Sequence, residues 1–242
     1  MPACHAVIVT AAGSSSRFNA TSQTSESKAQ VKKEFLTLNG KSILASAIEP
    51  FLSLKGLALV VVTYRKDALE ETKESLKKLV LPIGVSLIFV EGGQTRQQSV
   101  FNALRALSQI NEQRQLGVEL VSIHDGARPF VKKETIEACL NAALEKGGAA
   151  PCEPVSDTLV KVENGLLCGC VDRTNVYGVQ TPQTFKFPEI YQAHVRASEK
   201  INDGLIYTDD TQIFRDYGFQ VAIVEGDPKN KKITYPKDLK EL

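Results

Sequence analysis

This 242-residue sequence has no surplus of charge of either sign: 29 Lys and Arg stand against 28 Asp and Glu, for a net charge of +1. A protein held to nucleic acid by general electrostatics needs a basic surplus, so no nucleic-acid partner is expected, although a local anion site is not excluded. Long apolar runs are missing as well. The longest, Leu57 to Val62, falls far short of the roughly 20 residues that span a membrane. The start, Met1-Pro2-Ala3-Cys4-His5, lacks signal-peptide architecture and leads straight into a strand-like segment, so a cytoplasmic protein without a membrane partner is expected. Cys4, Cys139, Cys152, Cys168 and Cys170 are an odd number and make no disulfide framework. Cys168-Gly169-Cys170 reads as two strand residues on one face rather than half a soft-metal site, because no second Cys/His pair lies near it in sequence. With 43% hydrophobic residues, a chain of this length can bury roughly 70–75% of its unfolded surface and needs neither disulfide nor metal to fold.

Short apolar runs alternate with helical patterns. Ala6 to Thr10, Leu57 to Thr63, Val85 to Val90 and Leu120 to Ile123 read as strands. Helical spacing recurs through Ile43, Leu44, Ala47, Ile48, Phe51 and Leu52, then over 66–79, 96–107 and 133–146, the last stopped by Gly148. This alternation predicts an α/β fold with a mostly parallel sheet covered by helices. Strands that are apolar at every position fit burial on both faces. The pattern changes after Pro154. Thr158 to Val162 and Leu166 to Val171 flank Glu163-Asn164-Gly165, the strongest short hairpin signal. Such a hairpin has little core of its own and is expected to project as an arm, at about 155–176, that packs on a second subunit. A helix at 190–200, a helix begun by Thr208-Asp209 and a strand at 220–224 complete the pattern. With no repeat and no linker, residues 1–242 read as one domain plus the arm. Asn19 to Lys32 is polar and is expected to be a mobile surface loop.

Ligands of open α/β sheets bind at the carboxyl ends of the strands. The first strand is followed there by Ala11-Ala12-Gly13-Ser14-Ser15-Ser16-Arg17. Small residues let backbone N–H groups approach an anion, and Arg17 adds charge; a merely structural turn is the other reading. Glu91-Gly92-Gly93-Gln94-Thr95-Arg96-Gln97-Gln98-Ser99 is either a base-reading loop or a loop with a helix N-cap at Thr95. In His124-Asp125-Gly126-Ala127-Arg128-Pro129, a strand-end carboxylate suits a Mg²⁺ or hydroxyl contact, with Arg128 holding a phosphate or orienting Asp125; a structural ion pair is the alternative. His124 is expected to pack locally, and His5 and His194 to lie on the surface. Asp209-Asp210 reads first as helix N-terminal carboxylates.

Taken in order, Ala-Ala-Gly-x-x-x-Arg, Lys33, Gly-Gly-x-x-Arg-x-x-Ser, His-Asp-x-Ala-Arg-Pro, Pro-Val-x-Asp-Thr, Val-Asp-Arg with a downstream Gln-Thr-Pro-Gln, Thr-Asp-Asp and Lys-Ile-Thr-x-Pro-x-Asp-Leu form one set. From Val7 to about Leu239 the chain resembles the 2-C-methyl-D-erythritol 4-phosphate cytidylyltransferases of the non-mevalonate isoprenoid pathway. The resemblance implies a Rossmann-like nucleotidyltransferase fold whose protruding β-arm builds a homodimer and reaches the partner's site. It implies transfer of CMP from CTP to methylerythritol phosphate, with Mg²⁺ or another divalent cation. A cytidylyltransferase for another polyol phosphate, such as ribitol 5-phosphate, is the nearest alternative. Carried onto this sequence, Ala11, Ala12, Gly13, Arg17 and Lys33 hold the CTP phosphates, and Gly93 and Ser99 line the cytosine site. Asp125 sits near the metal and the substrate, with Arg128 beside it. Arg173 and Lys232 grip the phosphate of methylerythritol phosphate, helped by Thr208, and Thr158 and Arg173 come from the partner's arm. Arg17, Lys33, Arg173 and Lys232 are the catalytic set. Gln94 stands where an Asp is expected, the stretch between Arg17 and Lys33 is longer than expected, and Lys32 replaces a Pro. Lys33 is taken as the catalytic lysine because Lys33-Glu34-Phe35-Leu36 precedes Gly40 at the expected spacing; loss of Lys32 should then be mild.

Overall fold

A computed structural model describes residues 2–21, 32–199 and 207–239. Most of the mobile loop expected at 19–32 therefore lies outside the described residues, but its two ends do not fit the expectation. Asn19 to Thr21 close a short helix, α1 (Ser16–Thr21), and Lys32 is buried.

The sheet is built on β1 (His5–Thr10). After it come two short strands, β2 (Thr37–Leu38) and β3 (Lys41–Ser42), which pair with each other. Helix α2 (Ile43–Leu52) leads to β4 (Leu57–Tyr64), α3 (Leu69–Leu76) to β5 (Ser86–Glu91), and α4 (Arg96–Arg114) to β6 (Leu120–Asp125). β1 runs parallel to both β4 and β6, and β4 runs parallel to β5. Alternate residues of the central strands face opposite layers. Ala6, Ile8, Leu59 and Val61 pack with Val100, Ala103, Leu104 and Leu107 of α4 on one face. Val7, Val9, Val60 and Val62 pack with Leu44, Ile48 and Phe51 of α2 and with Leu76 of α3 on the other. Burial on both faces is why these strands are apolar at every position rather than at every second one.

Helix α5 (Lys133–Lys146) ends on Gly147, at φ +97°, and not on Gly148 as expected. Gly148 opens β7 (Gly148–Pro154), a strand the sequence hides. Its first residue is forced by packing: a Cβ on Gly148 would lie 2.9 Å from ring atoms of both Phe185 and Phe214. β7 carries β12 (Val221–Glu225) in parallel on one edge. On its other edge lie β10 (Tyr177–Val179) and β11 (Gln183–Lys186), both antiparallel, and β11 joins this half of the sheet to β6. Helices α6 (Phe187–Glu199) and α7 (Asp210–Asp216) fill the gap between β11 and β12. Among the described residues the sheet has eight strands, and it is mostly parallel and covered by helices, as expected.

The arm consists of β8 (Leu159–Glu163) and β9 (Leu166–Val171), which pair only with each other among the described residues. Asn164 and Gly165 both have positive φ, +51° and +79°, the signature of a type I′ turn. Lys161 faces Gly169 while Val162 faces Leu167, so Cys168 is an extra, bulged residue. The bulge interrupts the alternation on which a shared face for Cys168 and Cys170 rested. Val162, Leu166 and Leu167 are 59, 73 and 65% exposed.

Candidate active site

Thr10 is in register with Thr63 and with Asp125, and Tyr64 with Glu91. Four parallel strands therefore end level, and the loops that follow them converge. A pocket of about 490 Å³ forms there, lined among others by Gly13, Arg17, Lys33, Gly93, Arg96, Ser99, Asp125 and Lys232. That volume suits a small ligand. A larger cleft of about 830 Å³ lies against β10 and β12 and holds none of the expected site residues; Arg17, Lys33, Asp125 and Lys232 are in the smaller one.

The loop after β1 is held at several points. The Ala11 amide donates to the Thr63 hydroxyl at 3.1 Å, and the Ser15 hydroxyl donates to Glu34 at 3.2 Å. The loop after β5 approaches closely. A Cβ on Gly92 would sit 2.3 Å from the Cβ of Ala12 and 2.9 Å from Ser99 Oγ, so only glycine fits. Thr95 does cap α4, through a capping box with Gln98, and Ser99 Oγ accepts the Gly93 amide at 3.0 Å. The N-cap reading holds, and the cap shapes the loop that faces the pocket.

Asp125 is the electrostatic centre. Lys232 Nζ lies 2.8 Å from its carboxylate, Arg128 Nε 3.5 Å and Arg96 Nε 3.6 Å. Burial alone would raise the Asp125 carboxyl; Lys232, Arg96 and Arg128 outweigh it and hold it well below the usual carboxylate range. Behind it, His124 is fully buried and tilted against Phe51. Its Nε2 lies 3.0 Å from the Arg128 carbonyl, which can only accept, so Nε2 carries the proton. Nδ1 then accepts from the Thr181 hydroxyl at 2.9 Å, and Thr181 Oγ1 accepts the Asp125 amide at 3.1 Å. The local packing role expected for His124 is this relay, which fixes the backbone of both Asp125 and Arg128. Burial pushes its imidazole down to about 4.

Lys33 donates to the Ile233 carbonyl at 2.6 Å, and the Ile233 amide donates to the Ala127 carbonyl at 2.9 Å, which draws the C-terminal segment across the pocket. Burial pushes the Lys33 ammonium down.

Of the expected site residues, Ala12, Gly13, Arg17, Lys33, Gly93, Ser99, Asp125 and Lys232 meet at the pocket. Ala11 lies buried beneath it, and Arg128 is turned to Asp125 and to the Asn230 carbonyl at 2.6 Å. Thr158 and Arg173 are exposed on and beside the arm, and Thr208 is exposed ahead of α7; none of these three lines the pocket of its own chain. Two histidine expectations need correction. His5 and His194 are each only 1% exposed. His5 packs beside the Ala3 carbonyl, and His194 Nε2 pairs with the buried Asp210 at 3.1 Å. Asp209 is the N-cap of α7, accepting from the Thr211 amide, as the structural reading held.

Sequence reasoning gave Arg96 no role. It bridges Asp210 at 2.6 Å and Asp125. Burial would discharge it, but these carboxylates raise its pKa and keep it charged. One signal was available: a cation in the first turn of a helix opposes the helix dipole and needs a carboxylate elsewhere.

Among the described residues, no three His, Cys, Asp or Glu side chains cluster as a metal cage. Asp125, though paired with cations, is a pocket carboxylate that would give a divalent ion an oxygen ligand.

The family model for 2-C-methyl-D-erythritol 4-phosphate cytidylyltransferase matches residues 5–241. The cytidylyltransferase of that name from Bacillus mycoides (strain KBAB4) is 35% identical over 236 residues, which cover 97% of this chain and 94% of the relative. The one from Thermosipho africanus (strain TCF52B) is 36% identical over 208 residues, covering 86% of each. Among solved structures, the Thermus thermophilus enzyme superposes with a TM-score of 0.71 at 31% identity, covering 97% of this chain and 95% of that one. The 4-diphosphocytidyl-2C-methyl-D-erythritol synthase of Anaerococcus prevotii DSM 20548 gives 0.77 at 26%, covering 99% and 94%. Matched almost end to end, and more than 30% identical to relatives it spans nearly in full, the chain belongs to the 2-C-methyl-D-erythritol 4-phosphate cytidylyltransferase family.

Proposed function

We propose that the chain transfers CMP from CTP to 2-C-methyl-D-erythritol 4-phosphate, giving 4-diphosphocytidyl-2-C-methyl-D-erythritol and pyrophosphate. The observation that carries this reading is the convergence of Arg17, Lys33, Asp125 and Lys232 on one pocket in a chain matched to the family over residues 5–241. A phosphate oxygen of methylerythritol phosphate, already anionic, attacks the α-phosphorus of CTP in line. The new P–O bond forms as the bond to the bridging oxygen breaks, and that electron pair leaves with pyrophosphate. No general base is required. Catalysis then rests on positioning and on cations facing the growing charge. Arg17 and Lys33 supply these, while the 11–15 loop holds the phosphates and Gly93 and Ser99 line the cytosine site. Asp125 would hold the Mg²⁺ of the MgCTP substrate, which would supply neutralisation of the phosphate charge.

Lys232 and Arg173 grip the phosphate of methylerythritol phosphate, with Thr158 and Thr208, and Arg128 orients Asp125. Arg173 and Thr158 belong to the arm, away from the pocket of their own chain, so they are supplied across a homodimer. The apolar residues exposed on the arm, Val160, Val162, Leu166 and Leu167, support burial against a partner. The whole chain acts as one nucleotidyltransferase domain, with the arm as its dimerisation element. Among the described residues no helix is long and apolar enough to cross a membrane, in keeping with a cytoplasmic enzyme. Pyrophosphate release is the test, with CTP, Mg²⁺ and a panel of polyol phosphates. Methylerythritol phosphate should be turned over far faster than ribitol 5-phosphate, and the reverse order would overturn the assigned substrate.

A further inference from the structure

Lys32 has no part in the reaction as described, yet it is only 8% exposed. A buried lysine is rare and unfavourable unless its ammonium is well satisfied. Its Nζ donates to the carbonyl of Ala11 at 3.0 Å and lies 5.5 Å from the ring centroid of Phe35. Glu34, Arg65, Asp67 and Glu71 are the charged groups that face it, and none forms an ion pair with it among the described residues. Two positions on, Glu34 is also buried and accepts from the Ser15 hydroxyl at 3.2 Å. Ser15 sits at φ +52°, a conformation that a serine keeps only when something holds it. Residues 32 and 34 thus grip the two ends of the 11–15 loop, while Lys33 between them reaches the Ile233 carbonyl. Between these grips, the amides of Ala12, Gly13 and Ser14 donate to no acceptor among the described residues.

We propose that Lys32, together with Glu34, is a positioning residue that sets the shape of the 11–15 loop and so presents its amides to the CTP phosphates. This rests on the reading of that loop as the triphosphate site. On this proposal the loss of Lys32 is not mild, contrary to the expectation from sequence.

The test is steady-state kinetics on the full-length enzyme with MgCTP and methylerythritol phosphate varied in turn, below the melting temperature of each variant. Lys32→Met keeps the length and removes the donor. It should raise the KM for CTP by about tenfold to a hundredfold, the usual range for a lost hydrogen bond to a charged group. The KM for methylerythritol phosphate should stay within about twofold, and Lys32→Arg should restore most of the CTP affinity. Should Lys32→Met not fold, Glu34→Ala carries the same expectation, with Glu34→Gln, which still accepts from Ser15, as its rescue. Lys33→Ala separates the clamp from the triphosphate reading beneath it. If Lys33→Ala is impaired with CTP while Lys32→Met and Glu34→Ala are not, the clamp is wrong and the triphosphate site stands. If none of these variants affects CTP kinetics, the loop is not the triphosphate site and the clamp falls with it. An equal rise in KM for both substrates, or an arginine no better than methionine at position 32, would mean general structural support and would overturn the proposal.

Discussion

Lowering the pH from 7 to 5 should destabilise this protein through His124. Its imidazole is held neutral by complete burial, with a folded-state pKa of about 4 against 6.5 when unfolded. In that window the unfolded chain binds more protons than the folded one, so stability falls as pH falls. The His124 contribution is complete above the unfolded pKa and is lost progressively as the pH drops towards the folded one. Integrating over the two pKa values gives a loss of about 2 kcal/mol between pH 7 and pH 5. Asp125, whose carboxyl is held well below its usual range, adds acid sensitivity only below the ordinary carboxylate pKa and leaves this window to the imidazoles. His5, also pushed down by burial, contributes to the same window. The assay must therefore compare slopes. Urea unfolding of the wild type and of His124→Gln at several pH values between 7 and 5 isolates the difference, because His5 is common to both. The wild type should lose about 2 kcal/mol more than the variant over that range, however far the substitution lowers the stability at pH 7. Parallel pH profiles would refute the reasoning, since they would mean that His124 does not enter the folded core uncharged.

Three further outcomes are expected. Mixing Arg17→Ala with Arg173→Ala protein under conditions of subunit exchange should restore activity at roughly a quarter of the sites, since half the dimers are mixed and each carries one intact site; confirmed heterodimers without activity would exclude a site shared through the arm. Arg173→Lys should lower kcat/KM for methylerythritol phosphate by about tenfold or more, because an ammonium cannot replace a guanidinium fork on phosphate, while a CTP titration should be unchanged; a collapse of CTP affinity in step would reassign Arg173. Gly92→Ala should raise the KM for CTP and lower stability by about 1–3 kcal/mol, because its Cβ would lie 2.3 Å from that of Ala12; unchanged kinetics would separate that contact from nucleotide binding.

What was legible in the sequence is what short-range physics controls. Continuous apolar strands between helical patterns announce a sheet buried on both faces, and Asn164-Gly165 announces a turn with two positive φ values, because both depend on residues a few positions apart. The loops that follow the strands were legible for the same reason, and family spacing placed Lys33 with the Gly13–Arg17 segment at one pocket. β7 was hidden because it opens on Gly148, which answers to Phe185 and Phe214, and its other small residues carry little strand propensity of their own. The state of each polar side chain was decided only by tertiary structure. His194 is buried because Asp210 waits for it, Arg96 can sit in the first turn of α4 because Asp210 and Asp125 hold it, and Lys32 is buried against the Ala11 carbonyl. Lys33 reaches the Ile233 carbonyl across 200 residues of chain. A buried polar group is tolerated only where a partner compensates for lost water, and here those partners lie far away in sequence, where neither periodicity nor spacing can reveal them.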